Sequence, residues 1–433
     1  MICIKGSTIV DGISREPYIG DILIDNKTIV KIGQDIDIDP RDVTLIDGKG
    51  LHVFPGLIDM HCHLREPGYE YKEDIESGTK SAAAGGFTGI APMANTNPPI
   101  DNAGMVNFIK KRARESGVVK IFPIATVTKQ MKGEEITEIG ELSRAGAVAL
   151  SDDGLPIENA QVMRLALQYS QMFNIRIISH CEDFNLVDEG VMNEGYMSTI
   201  LGLKGINRAA EELGIARDII MAKTFNAPIH IAHVSTKDGV EMIRQAKAEG
   251  VAVTCETTPH HFSATDKWVS SYDTNTKVNP PLRTSDDVLA IKEGLRDGTI
   301  DAIATDHAPH HMDEKNVEYD IAEFGISGFE TAFSLGYTNL VKEGVLSLSQ
   351  LVDKMSTTPA KILNVGGGKL EEGSIADITI ADLQARYIVD IDKFYSKGKN
   401  NPFHGREVSG KVLYTIVDGN IVYNNGKIIK NRI

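Results

Sequence analysis

The residues of this chain that can do chemistry are its histidines and the acids beside them. Twelve histidines occur. Ten of them, in HCH (61–63), ISH ending at His180, IHIAH (229–233), PHH (259–261) and DHAPHH (306–311), fall within or just after short β-type runs. A single histidine is more often a hydrogen-bonded core residue than a ligand. Repetition at strand ends is harder to dismiss. His61 and His63 flank Cys62, and the two-residue period of a strand sends both imidazoles to one face. With His180, His233 and Asp306 they give four neutral nitrogens and one carboxylate, a set suited to zinc or another borderline divalent ion and poorly suited to magnesium or calcium. Such an ion makes water a usable nucleophile at neutral pH.

Other polar groups stand at the same strand ends. In Ser151-Asp152-Asp153-Gly154 the two adjacent side chains point oppositely, so at most one carboxylate faces the pocket, and the strand period does not choose between them. An Asp-Asp-Gly is also a good strand-ending turn with no metal role. Arg65 and Asn95 lie past the first two strand ends and Asn279 follows the seventh, where a substrate should lie. The planar fork of Arg65 suits a carboxylate; a surface ion pair for Arg65 and turn roles for the asparagines are the plainer alternatives.

The elements that must position these groups follow from the rhythm of the chain. From about Phe54 to Asn364 the pattern repeats strand, loop and amphipathic helix, with eight candidate strands: GLIDMHCHL, GFTGIAPMAN, VKIFPIATV, AVALSDDG, IRIISHCED, PIHIAHVS, VAVTCETTPHH and IDAIATDHAPH. Helical patterns such as NAQVMRLALQYSQMF, DGVEMIRQAKAEG and SLSQLVDKMS separate many of them. Eight such units predict an α/β fold, a closed (β/α)8 barrel of the TIM type with its site at the carboxyl ends of the strands. An open doubly wound sheet is the alternative, but no GxGxxG follows any strand. Both ends of the chain instead alternate short strands with turn signals, notably Asp418-Gly419 and Asn425-Gly426. They are expected to pair into one small β-sandwich domain, residues 1–53 with 366–433, leaving 54–365 to the barrel.

Composition sets the outer limits. With 433 residues, 42% hydrophobic and 24% charged, the chain can bury a large core. Its net charge of −15 and lack of a Lys/Arg-rich run argue against nucleic acid as a partner. An anionic substrate must therefore be met by a local cation or a metal. The four cysteines, Cys3, Cys62, Cys181 and Cys255, have no framework spacing and read as reduced thiols. Neither a signal segment nor a long apolar run is present, which predicts a cytoplasmic protein without a membrane partner.

At HCHLREPG (61–68) and ATDHAPHHMDEK (304–315) the sequence closely resembles dihydroorotases of the longer bacterial type, within the amidohydrolase superfamily. The likeness runs across essentially the whole chain, through SDDG, ISHCED, IAHVS, CETTPHH and VNPPLR. It implies a binuclear zinc site with His61, His63, His180, His233 and Asp306 as ligands and Asp153 bridging the two ions. Many superfamily members use a carboxylated lysine as that bridge; this chain resembles the aspartate-bridged subgroup. The resemblance further implies substrate contacts at His63, Arg65, Asn95, Asn279, His310, Phe324 and Gly325, with the substrate carboxylate near Arg65, Asn95 and His310. It gives His260 and His261 no direct role, and His230 and Cys181 are read as structural. The implied activity is reversible closure of N-carbamoyl-L-aspartate to L-dihydroorotate by zinc-activated water chemistry, with Asp306 as general acid and base. A homodimer and association with aspartate transcarbamoylase go with it. A dihydropyrimidinase, hydantoinase or allantoinase is the nearest rival, though such rings need no carboxylate partner like Arg65. An inactive scaffold of the same fold is a further rival, and the retained ligands speak against it.

Overall fold

Eight short runs of Ile, Val, Leu and Ala form parallel strands in the computed structural model, which describes residues 1–14, 16–39 and 41–429. In chain order they are Leu57–Cys62, Phe87–Pro92, Lys120–Ile121 continued by Ile124–Ala125, Ala149–Leu150, Arg176–Ser179, Ile229–Ile231, Val253–Thr257 and Ala302–Ile303. Each pairs in parallel with the one before it. The third strand is interrupted at Phe122-Pro123, where proline has no N–H to give. The ladder survives because Phe122 N–H donates to Ile90 O (2.9 Å) and Val148 N–H donates to Pro123 O (3.0 Å). The ring closes where Cys62 bridges His307 in parallel and His63 N–H donates to His307 O at 2.8 Å. This is the (β/α)8 barrel that the strand count predicts.

Ile58, Met60, Ala91, Ile124, Ala149, Ile178, Ala232 and Ala302 form one buried cluster, so the barrel is filled and not hollow. Its first strand slips register between Asp59 and Cys62. Such a bulge re-aims side chains beside an active site, here turning His61 and His63 to the mouth above the Ile58 and Met60 layer. Polar caps start the outer helices: Asn159 accepts from Gln161 N–H and Val162 N–H ahead of Ala160–Gln171, and Thr236 accepts from Gly239 N–H ahead of Lys237–Ala248. The segment SLSQLVDKMS is less regular than its periodicity predicts, passing from helix Leu348–Val352 through a wider π turn at Asp353–Thr357.

Strands from both ends of the chain share one sheet, nine-stranded among the described residues. Ile2–Ile9 pairs antiparallel with Tyr18–Asp25, and His52–Pro55 pairs antiparallel with Ile378–Ile388, setting Val53 opposite Ile380. That second contact joins the two ends and carries the sheet to Pro55. Ile378–Ile388 then pairs with Glu407–Val417, which pairs with Asn420–Asn424. At the two predicted turns both residues have positive φ, Asp418 (+47°) with Gly419 (+71°) and Asn425 (+39°) with Gly426 (+91°), as tight hairpins require. A Cβ at Gly419 would meet Asn26 O at 1.7 Å, so only glycine fits there. Among the described residues no helix is long and apolar enough to cross a membrane, and all four cysteines are free and buried.

Candidate active site at the barrel mouth

The strand ends bring His61, His63, Asp153, His180, His233 and Asp306 into one buried cluster. His61 Nε2 lies 3.3 Å from Asp153 Oδ1 and 3.6 Å from Asp306 Oδ1. His63 Nε2 lies 3.1 Å from Asp306 Oδ1 and 3.5 Å from Asp153 Oδ2. Asp153 Oδ1 is also 3.6 Å from both His180 Nδ1 and His233 Nε2. Two triads, His61-Asp153-His233 and His61-His63-Asp306, have all their donor atoms within 4.8 Å of one another. Around a cation held tetrahedrally by nitrogen and oxygen at about 2.0–2.1 Å, ligand atoms stand roughly 3.3–3.4 Å apart. The measured separations cluster near that value, and His61 Nε2 and Asp153 Oδ1 are buried without a hydrogen-bond partner among the described residues. The donor set therefore fits a divalent metal.

Burial alone would raise these carboxyls, but His61, His180 and His233 pull Asp153 well below the usual range, and His63 and His61 do the same for Asp306. Both present full negative charge to the pocket. His233 and Asp306 have positive φ (+34° and +44°), as does Arg65 (+61°). For residues other than glycine this backbone costs of order 1–3 kcal/mol, a strain that collects at functional sites.

Adjacent Asp152 is turned away, as the strand period requires. Its carboxylate accepts from Val127 N–H (2.8 Å), Thr128 N–H (3.2 Å) and the Thr128 hydroxyl, anchoring the loop after the third strand. The structure thus resolves the choice between neighbours by long-range contacts.

Second-layer acids aim the imidazoles, and here the sequence reading missed two residues. Glu256, fully buried on the seventh strand, accepts from His61 Nδ1 (2.8 Å) and His230 Nε2 (2.9 Å). Burial would raise its carboxyl, but the two histidines hold it down to about 2. Glu182 accepts from Asn279 Nδ2 (3.0 Å) and lies 3.2 Å from His180 Nε2. A charged side chain inside a mostly buried parallel strand, as in VTCET, was the available signal for Glu256, because such a group needs a partner. His230 is then the buttress of Glu256. His261 bonds Thr258 Oγ1 and Pro280 O, each at 2.9 Å, and so holds the turn beside Asn279. His260 keeps a buried Nε2 without a partner among the described residues. His52 and His404 lie in the terminal domain's segments, away from the mouth.

The expected substrate residues divide between two places. Asn95 and Asn279 lie against the cluster: Asn95 Oδ1 takes the His63 Nδ1–H (3.0 Å), and Asn279 leaves its buried Oδ1 without a partner among the described residues. Arg65, His310, Phe324 and Gly325 gather on the other side. Arg65 Nε donates to Pro309 O (3.2 Å), and Arg65 Nη2 touches His310 Nε2 (3.1 Å). His310 Nε2–H donates to Phe324 O (2.9 Å), while Nδ1 accepts from Lys72 Nζ (3.3 Å). Burial, then the charges of Arg65, Lys72 and Lys315, push His310 well below its ordinary value, so it is neutral. Buried Lys277 lies over the Phe324 ring at 4.5 Å, and Lys315 Nζ reaches Gly325 O at 3.4 Å. The acidic chain thus gathers four basic side chains here, a grouping only tertiary structure reveals: Lys72 pairs with Glu314 at 2.9 Å, and burial pulls the Lys277 and Lys315 ammoniums down to about 8 and about 7.

The model of dihydro-orotase-like proteins matches residues 50–239. A dihydroorotase of Acetivibrio thermocellus is 56% identical over 419 residues, covering 97% of this chain and 98% of its own. One of Geobacter metallireducens is 54% identical over 422 residues, covering 98% and 99%. The chain belongs to the dihydroorotase family. Among solved structures, an L-hydantoinase (dihydropyrimidinase) from Arthrobacter aurescens matches with a TM-score of 0.90 at 27% identity, over 100% of this chain and 98% of that one. A dihydropyrimidinase from Brevibacillus agri, at 24% identity and a TM-score of 0.88 over 99% and 96%, shares the fold. The dihydroorotase family thus has its barrel in common with the hydantoinases.

Proposed function

We propose that this chain interconverts N-carbamoyl-L-aspartate and L-dihydroorotate, closing the ring with loss of water in pyrimidine biosynthesis. The observation that carries this reading is the cationic half-site of Arg65 and its neighbours set directly beside the His/Asp cluster, which gives a ring-borne carboxylate a place to bind. Relatives more than 50% identical over nearly the full chain carry the dihydroorotase name.

In this reading the metal is zinc, two ions per chain. His61, His63, Asp153, His180, His233 and Asp306 would hold them. When bound, zinc polarises a carbonyl and lowers the pKa of water. Glu256 and Asn95 keep the proton on Nδ1 of His61 and His63, so each Nε2 lone pair faces the pocket. In ring opening, Asp306 takes the proton of the attacking water and passes it to the leaving ring nitrogen. In ring closure it takes the carbamoyl nitrogen's proton and delivers it to the departing oxygen. Arg65, His310, Phe324 and Gly325 bind the carboxylate side of the ring, and Asn95 and Asn279 border the reacting side with His63. A homodimer, contact with aspartate transcarbamoylase and a cytoplasmic location belong to the same reading.

The test is turnover of dihydroorotate, dihydrouracil, hydantoin and allantoin side by side, before and after chelation. Dihydroorotate should dominate, and Arg65→Ala should cut its kcat/KM at least tenfold, since a charge-assisted bond is worth about 1.5–3 kcal/mol. A preference for rings without a carboxylate, or unchanged kinetics in the variant, refutes the proposal.

A further inference from the structure

We propose that Asn400, on the segment linking the long strands Ile378–Ile388 and Glu407–Val417, is a positioning residue for the carboxylate-binding half of the site. The inference rests on the reading that Arg65 and His310 meet the substrate carboxylate. Asn400 is 2% exposed, and its amide is fully used. Nδ2 donates to Ala308 O (3.0 Å) and Gly325 O (2.9 Å); Oδ1 accepts from His310 N–H (3.0 Å) and Ser327 Oγ–H (2.9 Å). Its main-chain oxygen accepts Ser327 N–H at 2.8 Å. Two carbonyls on one side and an N–H on the other fix which way the amide points. The side chain therefore staples the 308–310 stretch, which carries His310, to the 325–327 stretch beside Phe324 and Gly325. None of these bonds reaches His61, Asp153 or His233.

Neighbouring residues press the segment against the same loop. A Cβ at Gly398 would lie 2.5 Å from Pro309 Cβ, so only glycine permits this approach, and Pro309 O is the acceptor for Arg65 Nε. Two acids of the barrel, buried Glu73 and half-buried Glu330, hold the segment in place: Glu73 accepts from Ser396 Oγ–H (2.5 Å), and Glu330 accepts from Tyr395 N–H (2.7 Å). The C-terminal part of the chain thus sets the width of the anion pocket from outside the barrel. Replacement of Asn400 frees Ala308, His310 and Gly325 to separate, which weakens substrate binding and leaves the metal cluster intact.

The experiment compares metal-loaded wild type, Asn400→Ala, Asn400→Asp and Arg65→Ala, reading KM and kcat for dihydroorotate together with metal content. Asn400→Ala should raise KM at least fivefold, with kcat within threefold of wild type and unchanged metal per chain. Asn400→Asp keeps the size and both acceptor contacts but loses the two donor bonds, so it carries the test if the alanine variant fails to fold; it should also raise KM. An unchanged KM at Asn400 alongside a raised KM for Arg65→Ala overturns the positioning role alone. Unchanged KM in both overturns the carboxylate reading and this inference with it. Loss of metal or of kcat at constant KM in the Asn400 variants overturns the inference by placing the residue with the cluster.

Discussion

Replacing Glu256 with glutamine removes one negative charge behind His61 and preserves the shape. Glutamine can still accept from His61 Nδ1–H, and its amide can face His230, whose ring can shift its proton to Nδ1 beside Thr254 Oγ1 at 2.8 Å. What changes is the character of two bonds, now 2.8 and 2.9 Å long. A charge-assisted bond contributes about 1.5–3 kcal/mol and a neutral one about 0.5–1.5, so the pair loses about 2 kcal/mol. That corresponds to roughly a thirtyfold change in an equilibrium constant, within the ~10–100-fold range for removing an outer partner of a metal-bound histidine. The assay is a zinc titration of apo-protein against a chromophoric chelator at fixed neutral pH, with activity measured again at saturating zinc. Affinity should drop about thirtyfold by this reckoning, and excess zinc should restore most of the turnover. A Glu256→Gln protein that binds zinc within threefold of wild type would refute the claim that this carboxylate sets the basicity of His61.

Two further outcomes follow from the geometry. Asp153→Asn should lose at least one metal, whereas Asp152→Asn should keep its metal and instead destabilise the fold by about 1–3 kcal/mol through its buried loop contacts. Metal analysis and thermal melts separate them, and reconstitution in bicarbonate-free buffer should reach full activity if an aspartate is the bridge. Burial pushes the Glu330 carboxyl from 4.5 up to about 7. A carboxyl that keeps its proton in the fold but loses it in the unfolded chain makes stability fall as pH rises from about 4.5 through about 7. Glu330→Gln should therefore gain on wild type in melting temperature between about pH 5 and about pH 8; parallel profiles would contradict the assignment.

The parts of the site written into local sequence were those governed by strand periodicity. His61 and His63 share a face because they are two apart, and His180, His233 and Asp306 follow runs that read as strands. The eight strands were legible from their short apolar runs, and the two hairpin turns from Asp418-Gly419 and Asn425-Gly426, residues that accept positive φ. What the sequence left open depends on distant partners. Asp152 and Asp153 differ only in which meets the amides of Val127 and Thr128, twenty-four or twenty-five residues away. Glu256 matters because it lies opposite His61, 195 residues earlier. The grouping of Lys72, Lys277 and Lys315 around Arg65 has no periodic signature at all. Asn400 looks like a loop residue until its amide is seen bonded to the barrel.

The shared terminal sheet also orders events during synthesis. His52–Pro55 leaves the ribosome well before its antiparallel partner Ile378–Ile388, which is more than three hundred residues behind. At about 5–20 residues per second this is roughly a quarter of a minute to a minute in which that strand lacks its neighbour. Throughout that interval the nascent chain carries an open β edge, the kind that invites pairing with other chains. The segment bearing Asn400 emerges later still. The barrel is therefore translated before the segment proposed to brace its Arg65–His310 side, and that proposed bracing must wait until the segment has emerged.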